Sequence, residues 1–133
     1  MQHVDEEEEP DPELNMITNA IIGAAIEVHR ELGPGHEEHV YQKALEVELV
    51  ARAIPFVAQH RIELTYKGHV VGQGRLDLLV RDAVIVEIKS VEALGRVHVA
   101  QALAYLRITR HPLAIVINFN VAKLIDGVRR VAL

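Results

Sequence analysis

The sequence predicts an α/β domain in which helices cover a mixed sheet, with elements in the order α-α-β-β-β-α-β. Two stretches of helically spaced apolar residues open the folded part. Three β-branched runs broken by short turns follow, then one more helical stretch and one continuous apolar run. Asn15 is placed to cap the first helix, over about 16–32, with Leu14 before it as a hydrophobic staple partner. Ile17, Ile21, Ala24, Val28 and Leu32 recur at helical spacing and form its buried stripe, and Gly33-Pro34-Gly35 ends it. A second helix spans about 37–53 and stops before Ile54-Pro55. The three strands fall at about 57–66, 70–80 and 84–90, with Lys67-Gly68-His69 as the turn between the first two. Residues 96–109 read as a helix, 113–119 as a buried strand, and 123–131 as a short strand or hairpin around Asp126-Gly127.

At 133 residues the chain is long enough for one domain with a real core. Hydrophobic residues make up 50% and aromatic ones only 4%, so that core is mostly Val, Ile, Leu and Ala. The absence of cysteine excludes disulfides, thiolate metal sites and cysteine nucleophiles. No apolar run approaches the ~18 residues of a membrane span. The acidic N-terminus has no signal-peptide pattern, so a cytoplasmic location is expected. The net charge of −5 is misleading. Residues 1–13 hold seven of the 19 acids and no Lys or Arg, which leaves 14 bases against twelve acids and a body of about +2. That stretch, with Pro10 and Pro12, reads as a disordered, solubilising tail, and 14–133 as the folded domain.

The chemistry concentrates in the last two of the three strands, Arg75-Leu76-Asp77-Leu78-Leu79-Val80 and Val84-Ile85-Val86-Glu87-Ile88-Lys89. Side chains alternate along a strand, so Glu87 and Lys89 share one face while Val84, Val86 and Ile88 take the other. If Arg81-Asp82-Ala83 is a three-residue loop, Asp77 lies directly across from Glu87; a two-residue loop puts them on opposite faces. Two carboxylates about 5 Å apart repel by roughly 3 kcal/mol at an effective dielectric near 20. That exceeds the ~0.2–1 kcal/mol of a favourable cross-strand pair, so the arrangement needs a cation, a proton or the Lys89 ammonium. A hard divalent cation with oxygen ligands fits best, because Mg²⁺ is commonly held by one or two carboxylates plus substrate phosphates. The alternative is an exposed Asp77 beside a weak Glu87–Lys89 surface pair. On the second helix Glu38, Tyr41, Leu45 and Glu48 share a face, and on the third His98, Gln101 and Tyr105 do. Glu48 also stands four residues before Arg52, as a surface ion pair would.

Gly35-His36-Glu37-Glu38-His39-Val40-Tyr41 resembles the G-x-x-E-x-x-Y signature that names the GxxExxY family. The similarity extends over residues 14–133, through the 21–35 segment and Ile117-Asn118-Phe119. That family is similar to the RecB-like branch of the PD-(D/E)xK phosphodiesterases, and the resemblance implies a restriction-endonuclease-like α-β-β-β-α-β core with an extra N-terminal helix. It assigns the superfamily's first acid to Asp77, its (D/E)-x-K to Glu87-Ile88-Lys89, and the Q-x-x-x-Y of the following helix to Gln101 and Tyr105. Leu76 stands where the family motif has proline. The resemblance implies a metal-dependent nuclease acting on nucleic acid, with DNA expected ahead of RNA and the choice between them left open. Asp77, Glu87, the Ile88 carbonyl and Glu38 would hold Mg²⁺ or Mn²⁺, with His29 as a further ligand. Lys89, Gln101 and Tyr105 would complete the catalytic set, and Arg75 and Arg96 would contact the nucleic-acid backbone. A homodimer or a protein partner would complete the grip on substrate. The rival expectation is a non-catalytic nucleic-acid- or protein-binding module on the same fold, acting within a larger assembly.

Overall fold

The computed structural model describes residues 11–133 together with the backbone of His3 and Val4. Most of the acidic tail therefore lies outside the described residues. The elements are β1 (His3–Val4), α1 (Pro12–Leu32), α2 (Glu38–Ala51), β2 (Phe56–Tyr66), β3 (His69–Val80), β4 (Val84–Lys89), α3 (Arg96–Thr109), β5 (Leu113–Asn118), a 3₁₀ turn (Leu124–Gly127) and β6 (Val128–Ala132). They form a mixed sheet in the order β1-β6-β5-β4-β3-β2. β4 and β5 run parallel, joined through α3, and the other neighbours are antiparallel. This is a restriction-endonuclease-like α/β fold.

Helix α1 starts earlier than its apolar stripe suggests. Asp11, not Asn15, is the cap: its carboxylate accepts from the Glu13 N–H at 2.7 Å and the Leu14 N–H at 3.4 Å. Pro12 follows at the first helical position, where its fixed φ suits the helix and its missing N–H leaves no orphan donor. The chain end is the short-strand alternative: a 3₁₀ turn around Asp126 feeds a strand that pairs with β5.

Helices α1 and α2 cover one face of the sheet, where Ile21, Ala24 and Leu45 meet Val86, Ile88, Ile115 and Ile117. Helix α3 covers the other, where Ala102, Leu103 and Leu106 meet Leu79, Ile85 and Val116. Burial on both faces explains why β4 and β5 read as continuous apolar runs. Strand β3 changes face along its length. Leu76 packs on the α3 side and Leu78 on the α1/α2 side, although residues two apart in a regular strand share a face. The irregularity is centred on Asp77, and Gln59 of β2, at the matching position, has φ +53°. Among the described residues no helix is long and apolar enough to cross a membrane.

The loop between α1 and α2 is tied down by Tyr41. Its ring is fully buried and stacks on Phe119 at 4.6 Å between centroids. Its hydroxyl donates to the Gly33 carbonyl at 2.6 Å and accepts from the His36 N–H at 3.1 Å. Tyr41 therefore fixes where α2 begins, and with it the position of Glu38. Tyr41→Phe keeps the stack and loses both bonds, leaving a partly buried carbonyl and N–H unsatisfied. We expect it to lower stability by ~1–3 kcal/mol in denaturant melts while the far-ultraviolet spectrum stays unchanged.

Candidate functional site

Strands β3 and β4 are joined by Arg81-Asp82-Ala83, with Arg81 and Asp82 both in the left-handed region (φ +52° and +53°) and the Ala83 N–H donating to the Val80 carbonyl at 3.0 Å. The register Val80↔Val84, Leu79↔Ile85, Leu78↔Val86 is the three-residue-loop alternative, and it carries Asp77 opposite Glu87. Regular pairing stops at Leu78↔Val86, and the strands part at the next position. The two carboxylates fill the gap. Glu87 Oε2 accepts from the Asp77 N–H at 3.2 Å, and Asp77 Oδ2 accepts from the Ile88 N–H at 2.8 Å. Each acid thus satisfies a backbone donor that the broken ladder leaves free. The Asp77 carbonyl is taken by the buried Gln42 of α2, whose Nε2 donates to it at 2.9 Å. The Lys89 carbonyl accepts from the Phe119 N–H on the β5 side, so by strand alternation the Ile88 carbonyl turns to the β3 side, into the same gap.

Around the gap is a cleft of ≈ 450 Å³ lined by Glu38, Asp77, Glu87, Lys89, Gln101 and Tyr105, and on the ribbon side by Arg61, Gln73, Gly74 and Arg75. Lys89 Nζ donates to Gln101 Oε1 at 3.2 Å, which joins the end of β4 to α3. Tyr105 lies against β3 at Gly74, where a Cβ would stand 3.1 Å from its ring and 3.3 Å from its hydroxyl. Glu38 enters from the start of α2. Its Oε2 accepts from the Ser90 N–H at 3.4 Å, and Ser90 Oγ donates to the His36 carbonyl at 2.6 Å. Glu48 is elsewhere, accepting from Arg52 Nε at 2.7 Å.

Two sequence-predicted residues are not in this cleft. His29 is held in the α1 layer, its Nε2 2.8 Å from the Val121 carbonyl and its ring beside Phe119. A ring nitrogen that donates to a carbonyl has no lone pair left for a metal at that atom. Arg96, at the first turn of α3, lines a separate groove with Leu94, Val99, Leu103 and Arg129. His98 is a structural cap, its Nδ1 accepting from the Gly95 N–H at 2.9 Å. Conversely, Arg61 and Gln42 were missed from sequence. Arg61 faces Arg75 only through the register of the long β2–β3 ribbon, and nothing in the local pattern around Gln42 marks it.

The electrostatics are those of two acids that burial forces together. Burial, and then the Asp77 charge, push the Glu87 carboxyl up to about 8; the Asp77 N–H and Lys89 oppose this and Glu38 adds to it. Asp77 is also raised, mainly by burial, against the Ile88 N–H and Lys89. Both shifts favour one proton held by the ion-free pair at neutral pH, the simplest positive charge that relieves the repulsion.

The protein so defined is a three-layered α/β domain, helices on both faces of one sheet, whose sheet opens onto a carboxylate–lysine cleft. It belongs to the PD-(D/E)XK nuclease superfamily, whose family model matches residues 15–131. Searches of curated proteins and of solved structures returned no match. Nucleases of this superfamily generally use divalent metals. Among the described residues no three His, Cys, Asp or Glu side chains gather closely enough to hold an ion by themselves. The Asp77–Glu87 pair nonetheless fits one, since Mg²⁺ is ordinarily held by one or two carboxylates, with waters and substrate phosphate supplying the rest.

The raised Glu87 carboxyl sets a pH dependence. Because the folded chain binds this proton more tightly than the unfolded chain, the associated stability is complete below about 4.5 and declines as pH rises to about 8. At ~1.4 kcal/mol per pKa unit, the loss across that window is at most roughly 3–5 kcal/mol. Glu87→Gln removes this term. Melts in a chelating buffer across the same pH range should show a steeper decline for the wild type than for the variant; parallel curves would contradict the coupling.

Proposed function

We propose that this chain is a metal-dependent nuclease of the GxxExxY group, hydrolysing phosphodiester bonds of nucleic acid, DNA rather than RNA. The observation that carries this reading is the parting of β3 and β4, with two mutually repelling carboxylates facing each other beside Lys89 and Gln101 in an open cleft. Superfamily membership supports it. In this reading Asp77, Glu87 and the Ile88 carbonyl would hold Mg²⁺ or Mn²⁺, with Glu38 joining them from the rim of the cleft. When bound, the ion polarises the scissile phosphate and lowers the pKa of a coordinated water.

The remaining work falls to this chain's own side chains. Lys89 orients the attacking water and offsets charge that develops on the phosphate oxygens. Gln101 holds the Lys89 ammonium in place through its carbonyl oxygen. Tyr105 backs the cleft where Gly74 lets it approach β3. Arg75 contacts the nucleic-acid backbone. In the signature itself, Glu38 faces the cleft, while Tyr41 holds the loop that positions it.

A non-catalytic binding module on the same fold is the second reading, favoured by the lack of a three-ligand cluster among the described residues. Cleavage assays on DNA and RNA with Mn²⁺ or Mg²⁺ separate the two. Asp77→Asn and Lys89→Ala should each abolish cleavage, a loss of at least ~100-fold, with melting temperatures close to the wild type's. Retained cleavage in either variant would sink the assignment of roles.

A further inference from the structure

We infer that Arg61 and Arg75 form a cross-strand clamp that takes a backbone phosphate of the substrate beside the one cleaved, an inference that rests on the nuclease reading above. The two residues are direct register partners on β2 and β3, and both are exposed and line the cleft. Like charges directly opposite each other destabilise a strand pair, so a position of this kind needs an anion from somewhere. Among the described residues neither guanidinium makes a side-chain hydrogen bond or an ion pair. The charged groups that do pair, at Glu27–Arg30, Glu37–His39, Glu48–Arg52 and Asp82–His111, all lie elsewhere. Glu63, the next acid along β2, pairs across the ribbon with Gln73.

Placement suits a polyanion. β3 pairs with β4 only over Leu78–Val80, so the ribbon beyond Asp77 has no β4 strand bonded beside it in the sheet. Arg75 is two residues beyond Asp77, about 6.6 Å along the strand. Successive phosphates of one DNA strand advance roughly 3.4 Å along the helix axis, so the clamp sits one to two phosphates from the acids. Arginine suits this task because its planar fork binds phosphate oxygens in pairs. The cleft thus divides into an acidic end that holds the cation and a basic end that holds the neighbouring phosphate.

The test uses the cleavage-blocked Lys89→Ala chain with Mn²⁺ and a labelled DNA duplex, with anisotropy followed between about 50 and 200 mM salt. Adding Arg61→Gln or Arg75→Gln should weaken binding roughly five- to tenfold. Each should also reduce the slope of log K against log salt by about 0.9 with no loss of melting temperature, and Arg61→Gln should leave Mn²⁺ binding unchanged. Arg61→Lys, which keeps the charge, should restore the slope. If the parent chain binds duplex and both glutamine variants match it in affinity and slope, the clamp is overturned and the nuclease reading stands. Tighter Mn²⁺ binding with an unchanged slope would mark the arginines as counter-ions of the acids, and also overturns it. A parent chain that binds no nucleic acid at all overturns both.

Discussion

Everything around the cleft follows from one electrostatic conflict: Asp77 and Glu87 are held opposite each other where two strands stop pairing. The hairpin register forces the encounter, and the sheet and helices bury it. The fold tolerates this because each carboxylate also satisfies a backbone N–H that the parted strands would otherwise leave bare. Local pairing is therefore exchanged for two hydrogen bonds to acids, and the acids are left avid for positive charge. A proton relieves the conflict in the free chain. In the proposed nuclease a divalent cation would relieve it in a form that does chemistry.

The surrounding elements serve to hold that gap open. Gln42 occupies the Asp77 carbonyl from the α2 side, so the strands do not close again through it. Tyr41 anchors the loop that sets Glu38 at the rim, and Gln101 holds Lys89 from the α3 side. The two helical layers thus meet at the site from opposite faces of the sheet, and the change of face between Leu76 and Leu78 lies at the same point.

The extent to which this was legible in the sequence follows physical lines. Strand alternation placed Glu87 and Lys89 on one face and the valines on the other, because a period of two needs no tertiary information. The facing of Asp77 and Glu87 depended on loop length, and only the backbone geometry at Arg81 and Asp82 decides that. The start of α1 was misplaced because Asp11 sits in an acidic stretch whose composition hides a cap. A resemblance draws His29 toward the site, and its place at the start of a helix draws Arg96, whereas their positions depend on how layers stack. Arg61 escaped notice for the converse reason: cross-strand partners in a long ribbon are far apart in sequence, and a bulge near Leu64 shifts the register beyond simple counting.

The central claim is that the facing acids are a cation site, and titration calorimetry of Mn²⁺ into the wild type and Asp77→Ala tests it without any assumption about substrate. We expect binding of about one ion per chain, with release of the proton held by the Asp77–Glu87 pair, and loss of that binding in the variant. No binding by the wild type, or the same isotherm from Asp77→Ala, would contradict it.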